Sequence, residues 1–507
     1  MSLKEPPPVV PAPPDEAPDS TGPADETPGP ADGAKAGPAH RATAWPEARA
    51  AARRAGAGAR AGREPSGLPL GEALGRVLAG PLTALADLPS FDTSAMDGWA
   101  VAGPGPWHVR EETAVLAGHA PAAALATGEA VRIATGAPVP PGTTAALRTE
   151  HSRTERPRTE GPEHPRTGEP PYGGRLLLHA LREVVGGQDI RPRGQECRSG
   201  DELLPAGTAV TPAVLGLAAA AGYDTLPVLP RPRVEILVLG DELLTAGLPH
   251  DGLIRDALGP MLGPWLAALG ADVLATRRIG DDAEALYAAV AGSTADLVVT
   301  TGGTAAGPVD HVHRVLDKAG AVLLVDGVKV RPGHPMLLAR LGADPARPRH
   351  VRHLVGLPGN PLAAVSGLLT LAAPLLAALT EPAPFAEPGS STGPGPSVEP
   401  EPSTGPRPPA ESGAGSEPRT PVPYRVPVRD EVHGHPHDTR LVPVVRHGGT
   451  AVPLRYNGPA MLRGIAAADG LAVVPPGGAR PGQELDVLDL PWPPTAGAAP
   501  AQGACFT

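Results

Sequence analysis

Residues 231–244 read RPRVEILVLGDELL, and this stretch decides the fold class of the α/β part of the chain. The segment 234–239 is apolar apart from Glu235, as in a parallel strand that is buried on both faces. The acids Asp241 and Glu242 follow at once. The pattern predicts the first strand of a doubly wound α/β domain, with polar residues at the strand's carboxyl end.

Strand and helix patterns alternate downstream of this strand, which indicates successive βαβ units. We predict helices at 254–269, 281–291, 310–319 and 361–379, and strands at 271–279, 295–301, 321–330 and in HLVGLPG (353–359). The carboxyl ends of parallel strands meet at one edge of a sheet. The loops after residues 239, 301 and 357 should therefore lie side by side.

The remainder of the chain divides by composition. A tail rich in Pro and Ala (1–42) should be disordered, and Thr43 should cap a helix before a second helix at 68–80. Short strand patterns and turns then predict a β-rich region. The predicted segments are a domain at 43–230 with a disordered insertion at about 151–174, the α/β domain at 231–381, a disordered linker at 382–420, a small β barrel or sandwich at 421–492 and a tail at 493–507.

Composition and charge exclude several classes of protein. The net charge is −11 and no cluster of basic residues is interleaved with aromatic residues, so we predict no nucleic-acid binding. We also predict no transmembrane helix and no secretory signal. Cys197 and Cys505 form neither a disulfide framework nor a zinc site. A cytoplasmic location fits this composition best.

The Gly-rich loop after the strand 295–301 is a candidate anion cradle. Gly302, Gly303 and Gly307 let backbone N–H groups approach a phosphate, and the helix that follows adds a favourable dipole. The loop matches neither a Walker sequence nor the GxGxxG pattern. A purely structural turn is the alternative.

Acidic residues also follow the predicted strands. Glu242, Asp281, Asp282 and Asp310 could hold a divalent cation, which would let them act beside an anionic ligand. The alternative is that Asp281 or Asp310 caps a helix.

Arginine and turn residues supply further candidates. Arg331, in VRPGHP (330–335), carries a fixed positive charge that suits an oxyanion, although a tight turn is the alternative. Asp97 and Thr135 lie beside glycine turns from which they could reach a ligand. Arg191 and Arg193 form another possible contact for an anion.

Taken in order, the motifs resemble those of one family, the molybdopterin molybdenumtransferases that include MoeA and the gephyrin E domain. The motifs that carry the resemblance are SAMDGWAVAG (94–103), RIATGAPVPPG (132–142), DIRPRGQE (189–196), GDELLPAGTAVTPAVLGLAAAAG (200–222), RPRVEILVLGDEL (231–243), TTGGTAAGPVD (300–310), VRPGHP (330–335) and GLPGNPLAAV (356–365). Each motif alone is modest, whereas their ordered occurrence is specific. The resemblance extends from about residue 43 to 490, apart from the low-complexity segments.

The resemblance implies a multidomain fold of α/β and β regions. An elongated, split N-terminal domain would hold an inserted β-rich domain, and an α/β molybdopterin-binding domain and a small C-terminal β barrel would follow. The implied activity joins molybdate to adenylylated molybdopterin and releases AMP, with Mg²⁺ as cofactor. The implied assembly is a homodimer whose site lies between the α/β domain of one subunit and the split domain of the other. Contact with other cofactor-biosynthesis proteins is a possible further interaction.

The resemblance also implies roles for individual residues. Asp97, Thr135, Glu242 and Asp310 would be catalytic, and the metal would be held by acids among Glu242, Asp281, Asp282 and Asp310. The residues implied in substrate binding are Gly302, Gly303, Gly307, Arg331, Pro332, Pro335, Asp256, Arg191 and Arg193.

The chain departs from the family pattern at several positions. The family's DSN is Asp256-Ala257-Leu258 here, a serine hydroxyl is lost at 305–306, and KPGKP becomes Arg331-Pro332-Gly333-His334-Pro335. These changes keep open an alternative, namely a non-catalytic paralogue that binds a pterin or a nucleotide as a regulatory or scaffold protein.

Overall fold

The computed structural model describes residues 42–60, 63–110, 114–119, 123–156, 175–304, 311–342, 350–381 and 424–492. The two tails and the linker 382–420, for which the sequence predicts disorder, lie outside these ranges, apart from Ala42. The predicted insertion lies outside them from residue 157 onward. Its first residues, in contrast, form a strand, Ser152–Glu155, that pairs with Leu177–Ala180, so that part of the prediction is wrong.

The part of the chain before the α/β region consists mainly of short strands. Its elements are β1 (Thr43–Ala44), α1 (Trp45–Ala59), β2 (Ser66–Pro69), α2 (Leu70–Ala73), β3 (Val77–Leu78), β4 (Leu82–Thr83), β5 (Thr93–Ser94), β6 (Gly98–Val101), β7 (Trp107–Val109), β8 (Glu129–Ile133), β9 (Ala145–Arg148), β10 (Ser152–Glu155), β11 (Leu177–Ala180), β12 (Ile190–Arg191), β13 (Glu202–Leu204), α3 (Pro212–Ala220) and β14 (Thr225–Leu229).

Two predictions for this part are wrong. Thr43 does not cap α1, because it lies in β1, and the N-cap position is Ala44, which makes no side-chain hydrogen bond. The helix predicted at 68–80 is reduced to the four residues of α2. The strands on either side of α2, which are β2 and β3, pair instead with β14 and form a three-stranded sheet with it. Tertiary pairing has overridden the local helical pattern.

The predicted split of the N-terminal region is visible in the pairing of its strands. Strand β14 returns to pair with β2 and β3, so the start and the end of this region share one sheet. Between them lies a six-stranded sheet in the order β10-β11-β7-β8-β6-β9. Its core contains the buried rings of Trp99 and Trp107. The inserted region is therefore β-rich, as predicted.

The α/β region follows, and it contains the predicted alternation. Its elements are β15 (Arg233–Leu239), β16 (Leu243–Leu244), β17 (Ile254–Arg255), α4 (Leu258–Ala268), β18 (Asp272–Ile279), α5 (Ala283–Gly292), β19 (Leu297–Thr301), α6 (Val312–Lys318), β20 (Val322–Asp326), β21 (Val328–Arg331), β22 (Leu337–Arg340), β23 (His353–Leu357), α7 (Pro361–Gly367), a π-helical segment Leu368–Ala372 and α8 (Ala373–Thr380).

The main sheet of this region has the order β18-β15-β19-β23-β22-β20, and its first four strands are parallel. Alternate residues of β15 point to opposite faces. Ile236 and Val238 pack in a core with α1, α4, α7 and α8, whereas Leu237 packs in a separate core with α5 and α6. Helices thus cover both faces, which confirms the doubly wound α/β architecture.

Two element boundaries differ from the sequence prediction. Ile254 and Arg255 form β17 rather than the start of a helix, and α4 begins only at Leu258. The strand predicted at 321–330 is two strands, divided by Gly327, whose φ is +78°. As a result β20 stays in the α/β sheet, while β21 joins another sheet.

The helical stretch Pro361–Thr380 is long and apolar enough to cross a membrane, with a mean hydropathy of 2.1 in its most apolar window. The sequence analysis predicts a helix over 361–379 of this stretch and no transmembrane helix. However, 89% of that window is buried inside the protein. Trp45 of α1 donates its Nε1 hydrogen to Thr370 Oγ1 over 3.0 Å, so the packing on this helix is specific. We assign the stretch as a core helix.

The C-terminal region is β-rich, as predicted. Its elements are β24 (Tyr424–Pro427), β25 (Val432–His433), β26 (Thr439–His447), β27 (Thr450–Pro453), α9 (Arg463–Ala466), β28 (Gly470–Val474), β29 (Gly478–Ala479) and β30 (Glu484–Asp489). The main sheet has the order β1-β21-β26-β28-β30-β24, and β27 pairs with β26. Because β1 and β21 belong to this sheet, it connects all three regions of the chain.

His353 makes the stability of the fold dependent on pH. Its side chain is buried in β23, and burial, assisted by the positive charge of Arg340, lowers its pKa to about 4. In the unfolded chain the imidazole of His353 takes up a proton near pH 6.5, whereas in the native state this imidazole stays neutral down to about pH 4. The free energy of unfolding should therefore fall as the pH drops through this window, by up to about 3 kcal/mol.

Denaturant titrations between pH 4 and 7 test this expectation. His353→Gln should flatten the dependence of the free energy of unfolding on pH, and His447→Gln, at an exposed position, should leave the dependence unchanged. Parallel curves for the wild type and His353→Gln would contradict it.

Candidate functional site

The three predicted loops lie together at the carboxyl edge of the parallel strands. Strand β19 lies between β15 and β23, so the loops that begin at residues 240, 302 and 358 are neighbours. The Gly302 N–H donates to the Leu357 carbonyl over 2.8 Å, which joins two of the loops. That N–H is therefore not available to a ligand. Gly303 follows with a φ of +64°, and Gly307 lies outside the described residues.

The acids of this edge differ in what their carboxylates already bind. Asp241 accepts a hydrogen bond from the Asp281 N–H over 3.3 Å, and this contact ties the loop after β15 to the loop after β18. Glu242 and Asp281 belong to those two loops. Asp310 lies outside the described residues. In the part of the chain that the structure describes, no three acidic, histidine or cysteine side chains converge as a metal site.

Two of the predicted ligand-binding acids accept hydrogen bonds from amides at helix starts. Asp282 Oδ1 accepts from the N–H groups of Glu284 and Ala285, at 2.8 and 3.2 Å, at the start of α5. Asp256 Oδ1 accepts from the Gly259 N–H over 2.8 Å at the start of α4. Such contacts satisfy amides that the helix leaves free. Asp282 is therefore engaged at the start of α5, whereas the sequence analysis did not distinguish it from Asp281.

A cavity of about 360 Å³ lies where the α/β region meets the C-terminal sheet. Three of the predicted substrate-binding residues line it, namely Arg331, Pro332 and Pro335. The other lining residues, to which the sequence analysis assigned no role in a site, include His334, Asn360, Arg440, Asn457 and Pro459.

The pairing of β21 with β26 creates the charge of this cavity. In its parallel register Arg331 lies opposite Arg440, so two guanidinium groups line one wall. Arg440 donates to Asn457 Oδ1 over 3.0 Å and to the His433 carbonyl over 2.6 Å. Arg331 donates from Nε to Asp438 Oδ2 over 2.9 Å. The wall is cationic and is held in place by the C-terminal region.

Another wall of the cavity is the start of α7, which is capped by the turn that contains Pro459. The Pro459 carbonyl accepts from the N–H groups of Leu362 and Ala363, at 2.9 and 3.2 Å. These two amides of α7 are therefore satisfied within the protein. They are not available to an anion in the cavity.

Asp97 and Thr135 form a second polar centre, in the β-rich inserted region. Asp97 Oδ1 accepts from the Thr135 N–H over 2.7 Å and from the Thr135 hydroxyl over 3.0 Å. These bonds, the backbone one first, lower the pKa of Asp97, so it is a carboxylate at neutral pH. Both residues are exposed. None of the hydrogen bonds and ion pairs between described residues connects Asp97 with Glu242 or with the arginine cavity.

Arg191 and Arg193 lie near the Asp97 centre and not in the arginine cavity. Strand β12 pairs with β5, which places Arg191 opposite Thr93. The Arg193 Nε donates to Asp87 Oδ2 over 2.5 Å. The Ser199 N–H and the Arg193 side chain lower the pKa of Asp87, in that order of size. Arg193 is therefore partly engaged within the protein, while much of its side chain remains exposed.

Three family models match the chain in sequence order. They are the MoeA N-terminal region (domains I and II) at residues 43–222, the probable molybdopterin-binding domain at 235–378 and the MoeA C-terminal region (domain IV) at 425–490. The match to the molybdopterin-binding domain contains Arg331 and the carboxyl edge of the parallel strands. The match to the MoeA C-terminal region contains Arg440, on the wall of the cavity.

Relatives and a solved structure agree with these matches. Molybdopterin molybdenumtransferase 2 of Mycobacterium tuberculosis is 35% identical over 339 residues, which cover 63% of this chain and 77% of the relative. The molybdopterin molybdenumtransferase of Bacillus subtilis is 31% identical, over 61% of this chain and 69% of the relative. The MoeA structure of a Pyrococcus species shares the fold over 89% of this chain and 99% of its own, with a TM-score of 0.64 at 21% identity. The chain belongs to the molybdopterin molybdenumtransferase (MoeA) family.

Proposed function

We propose that this chain is a molybdopterin molybdenumtransferase, which inserts molybdate into adenylylated molybdopterin and releases AMP. The observation that carries the proposal is the cationic cavity between the α/β region and the C-terminal sheet, lined by Arg331 and Arg440. The names of its relatives supply the reaction class, because those proteins are called molybdopterin molybdenumtransferases. This function belongs to the biosynthesis of the molybdenum cofactor.

Molybdate is a tetrahedral oxyanion, and the cavity offers groups that suit it. Two guanidinium groups supply charge-assisted hydrogen bonds, and the amide of Asn360 supplies a neutral one. The Asn457 amide bonds to Arg440 and to the Leu454 carbonyl, so it holds the wall in place. A volume of about 360 Å³ exceeds what one such ion needs, so space remains for the atoms that accept the metal. We assign the pterin and its phosphates to the adjoining edge, near Gly303, where ligands of doubly wound folds bind.

Mg²⁺ is the cofactor that this edge fits. Magnesium is usually held by one or two carboxylates together with substrate phosphates, and not by a complete protein cage. Glu242 and Asp281 supply two carboxylates from adjoining loops, without a third ligand among the described residues. These two residues would hold the ion, which would neutralise phosphate charge when bound. Asp310 remains a further predicted ligand outside the described residues.

Asp97 has the properties of a group that orients a water molecule. Its carboxylate is ionised at neutral pH, and the Thr135 bonds lower its pKa further, so it accepts hydrogen bonds and does not serve as an acid. Because Asp97 and the α/β edge belong to separate parts of the chain, we propose that a homodimer brings them together. The family resemblance supports this arrangement, with Asp97 supplied by the second subunit.

The proposed activity can be measured directly with purified protein. Adenylylated molybdopterin, molybdate and Mg²⁺ should give AMP together with molybdenum cofactor. Arg440→Gln should raise the molybdate concentration for half-maximal rate by at least about tenfold, because a charge-assisted hydrogen bond is lost. Arg425→Gln is the matched control, since Arg425 is an exposed arginine of the same sheet that lies outside the cavity and pairs with Asp486 over 3.2 Å.

The outcomes separate the candidate functions. Arg440→Lys, which retains the charge, should show a smaller loss than Arg440→Gln, and melting temperatures verify that both variants fold. If the wild type binds the pterin but releases no AMP, the non-catalytic alternative replaces the proposed function.

A further inference from the structure

We propose that Asp438 is a positioning residue for Arg331, and that this contact between two regions sets the oxyanion affinity of the cavity. The inference rests on the proposed function, because it takes molybdate as the ligand of the cavity. It concerns a residue that lies outside the motifs by which the family is recognised. Asp438 does not line the cavity, so it would act through Arg331.

The geometry of the pair supports this role. Asp438 precedes β26 and is 7% exposed, whereas the Arg331 side chain is 50% exposed and lines the cavity. Their bond uses the Nε of Arg331. A guanidinium has five N–H donors in a fixed plane, so bonding through Nε orients the other nitrogens without consuming them. Asp438 can thus fix the side chain while its terminal donors stay free for an anion.

The loop that carries Asp438 is itself held firmly. The Asp438 N–H donates to His435 Nδ1 over 3.0 Å, and the His437 N–H donates to the same atom over 3.3 Å. Gly434 packs so closely on β29 that a Cβ there would lie 2.1 Å from the Gly478 nitrogen. The carboxylate is therefore presented to Arg331 from a fixed backbone.

Charge gives a second reason for the pair. Arg331 and Arg440 lie opposite each other in adjacent strands, so their like charges repel when the cavity is empty. The buried carboxylate of Asp438 offsets part of this repulsion. A lysine at position 331, as in the family's KPGKP sequence, would have one nitrogen to share between Asp438 and a ligand. The combination of Arg331 with Asp438 avoids that competition.

A double-mutant cycle on the full chain tests the proposal, with calorimetric titration of molybdate alone as the measurement. Asp438→Ala should weaken molybdate binding by about tenfold or more, and Asp438→Asn, which keeps an acceptor for Nε, should restore most of the affinity. In the Arg331→Ala background, Asp438→Ala should cause no further loss, because its effect passes through Arg331. Asp486→Ala is the control, since Asp486 pairs with an exposed arginine of the same sheet.

Each other result overturns the proposal in a recognisable way. If Asp438→Ala weakens binding equally with and without Arg331, the residue acts through the fold in general. If Asp438→Ala binds molybdate more tightly than the wild type, the residue limits the charge of the cavity and does not position Arg331. If the wild type itself binds no molybdate, the proposed oxyanion site fails together with this inference.

Discussion

Mixed dimers with Asp97→Asn in one subunit and Glu242→Gln in the other are expected to keep about half of wild-type turnover, because one of their two sites would retain both carboxylates. Each variant alone should lose activity by at least about a hundredfold, the range typical of groups that act in proton transfer or transition-state stabilisation. The reason is the separation of the two residues. Asp97 lies in the β-rich inserted region and Glu242 at the edge of the α/β sheet, and no described bond joins them.

The experiment requires two affinity tags on co-expressed chains and tandem purification, so that only mixed dimers are assayed. A chain with both substitutions, paired with the wild type, is the informative control. In that dimer each site would have one altered carboxylate if the residues come from different subunits, and activity should be lost. Retention of half the activity by this control, with loss in the first mixture, would place Asp97 and Glu242 of one chain in the same site.

The parallel part of the fold was predictable because its signals are local. Buried strands such as β15 and β19 are short apolar runs, and each is followed by a turn and a helix pattern. The stretch 321–330, which the sequence predicts as one strand, shows the limit of such local signals. Gly327 can mark a break, but nothing in the local sequence indicates that β21 pairs with β1 and β26. Such pairing depends on contacts between segments that are distant in sequence.

The same limit explains which site residues were found. Arg331 and the prolines beside it were identified because VRPGHP is a compact motif next to a predicted strand. Arg440 and Asp438 were missed because they matter only through the register of β21 with β26. Asp281 and Asp282 could not be told apart, since both precede α5 and only the geometry shows which one caps it.

Gly98→Ala is expected to destabilise the protein by about 1–3 kcal/mol and to remove most of its activity. A Cβ at position 98 would lie 2.1 Å from the Leu147 carbonyl oxygen, in the adjacent strand β9. To admit it, β6 has to move away from β9, and Asp97 is the residue that immediately precedes β6. The shift would disturb the two bonds from Thr135 that orient the Asp97 carboxylate.

Gly216→Ala is the matched control for this substitution. Gly216 lies in the middle of α3, and a Cβ there would meet nothing within 4 Å. Alanine should therefore stabilise that helix by up to about 1 kcal/mol without changing activity. Thermal unfolding and AMP release, measured on both variants, separate the two expectations. A Gly98→Ala protein with wild-type stability and turnover would mean that the β6–β9 pair accommodates the methyl group, and that the position of Asp97 does not depend on their close approach.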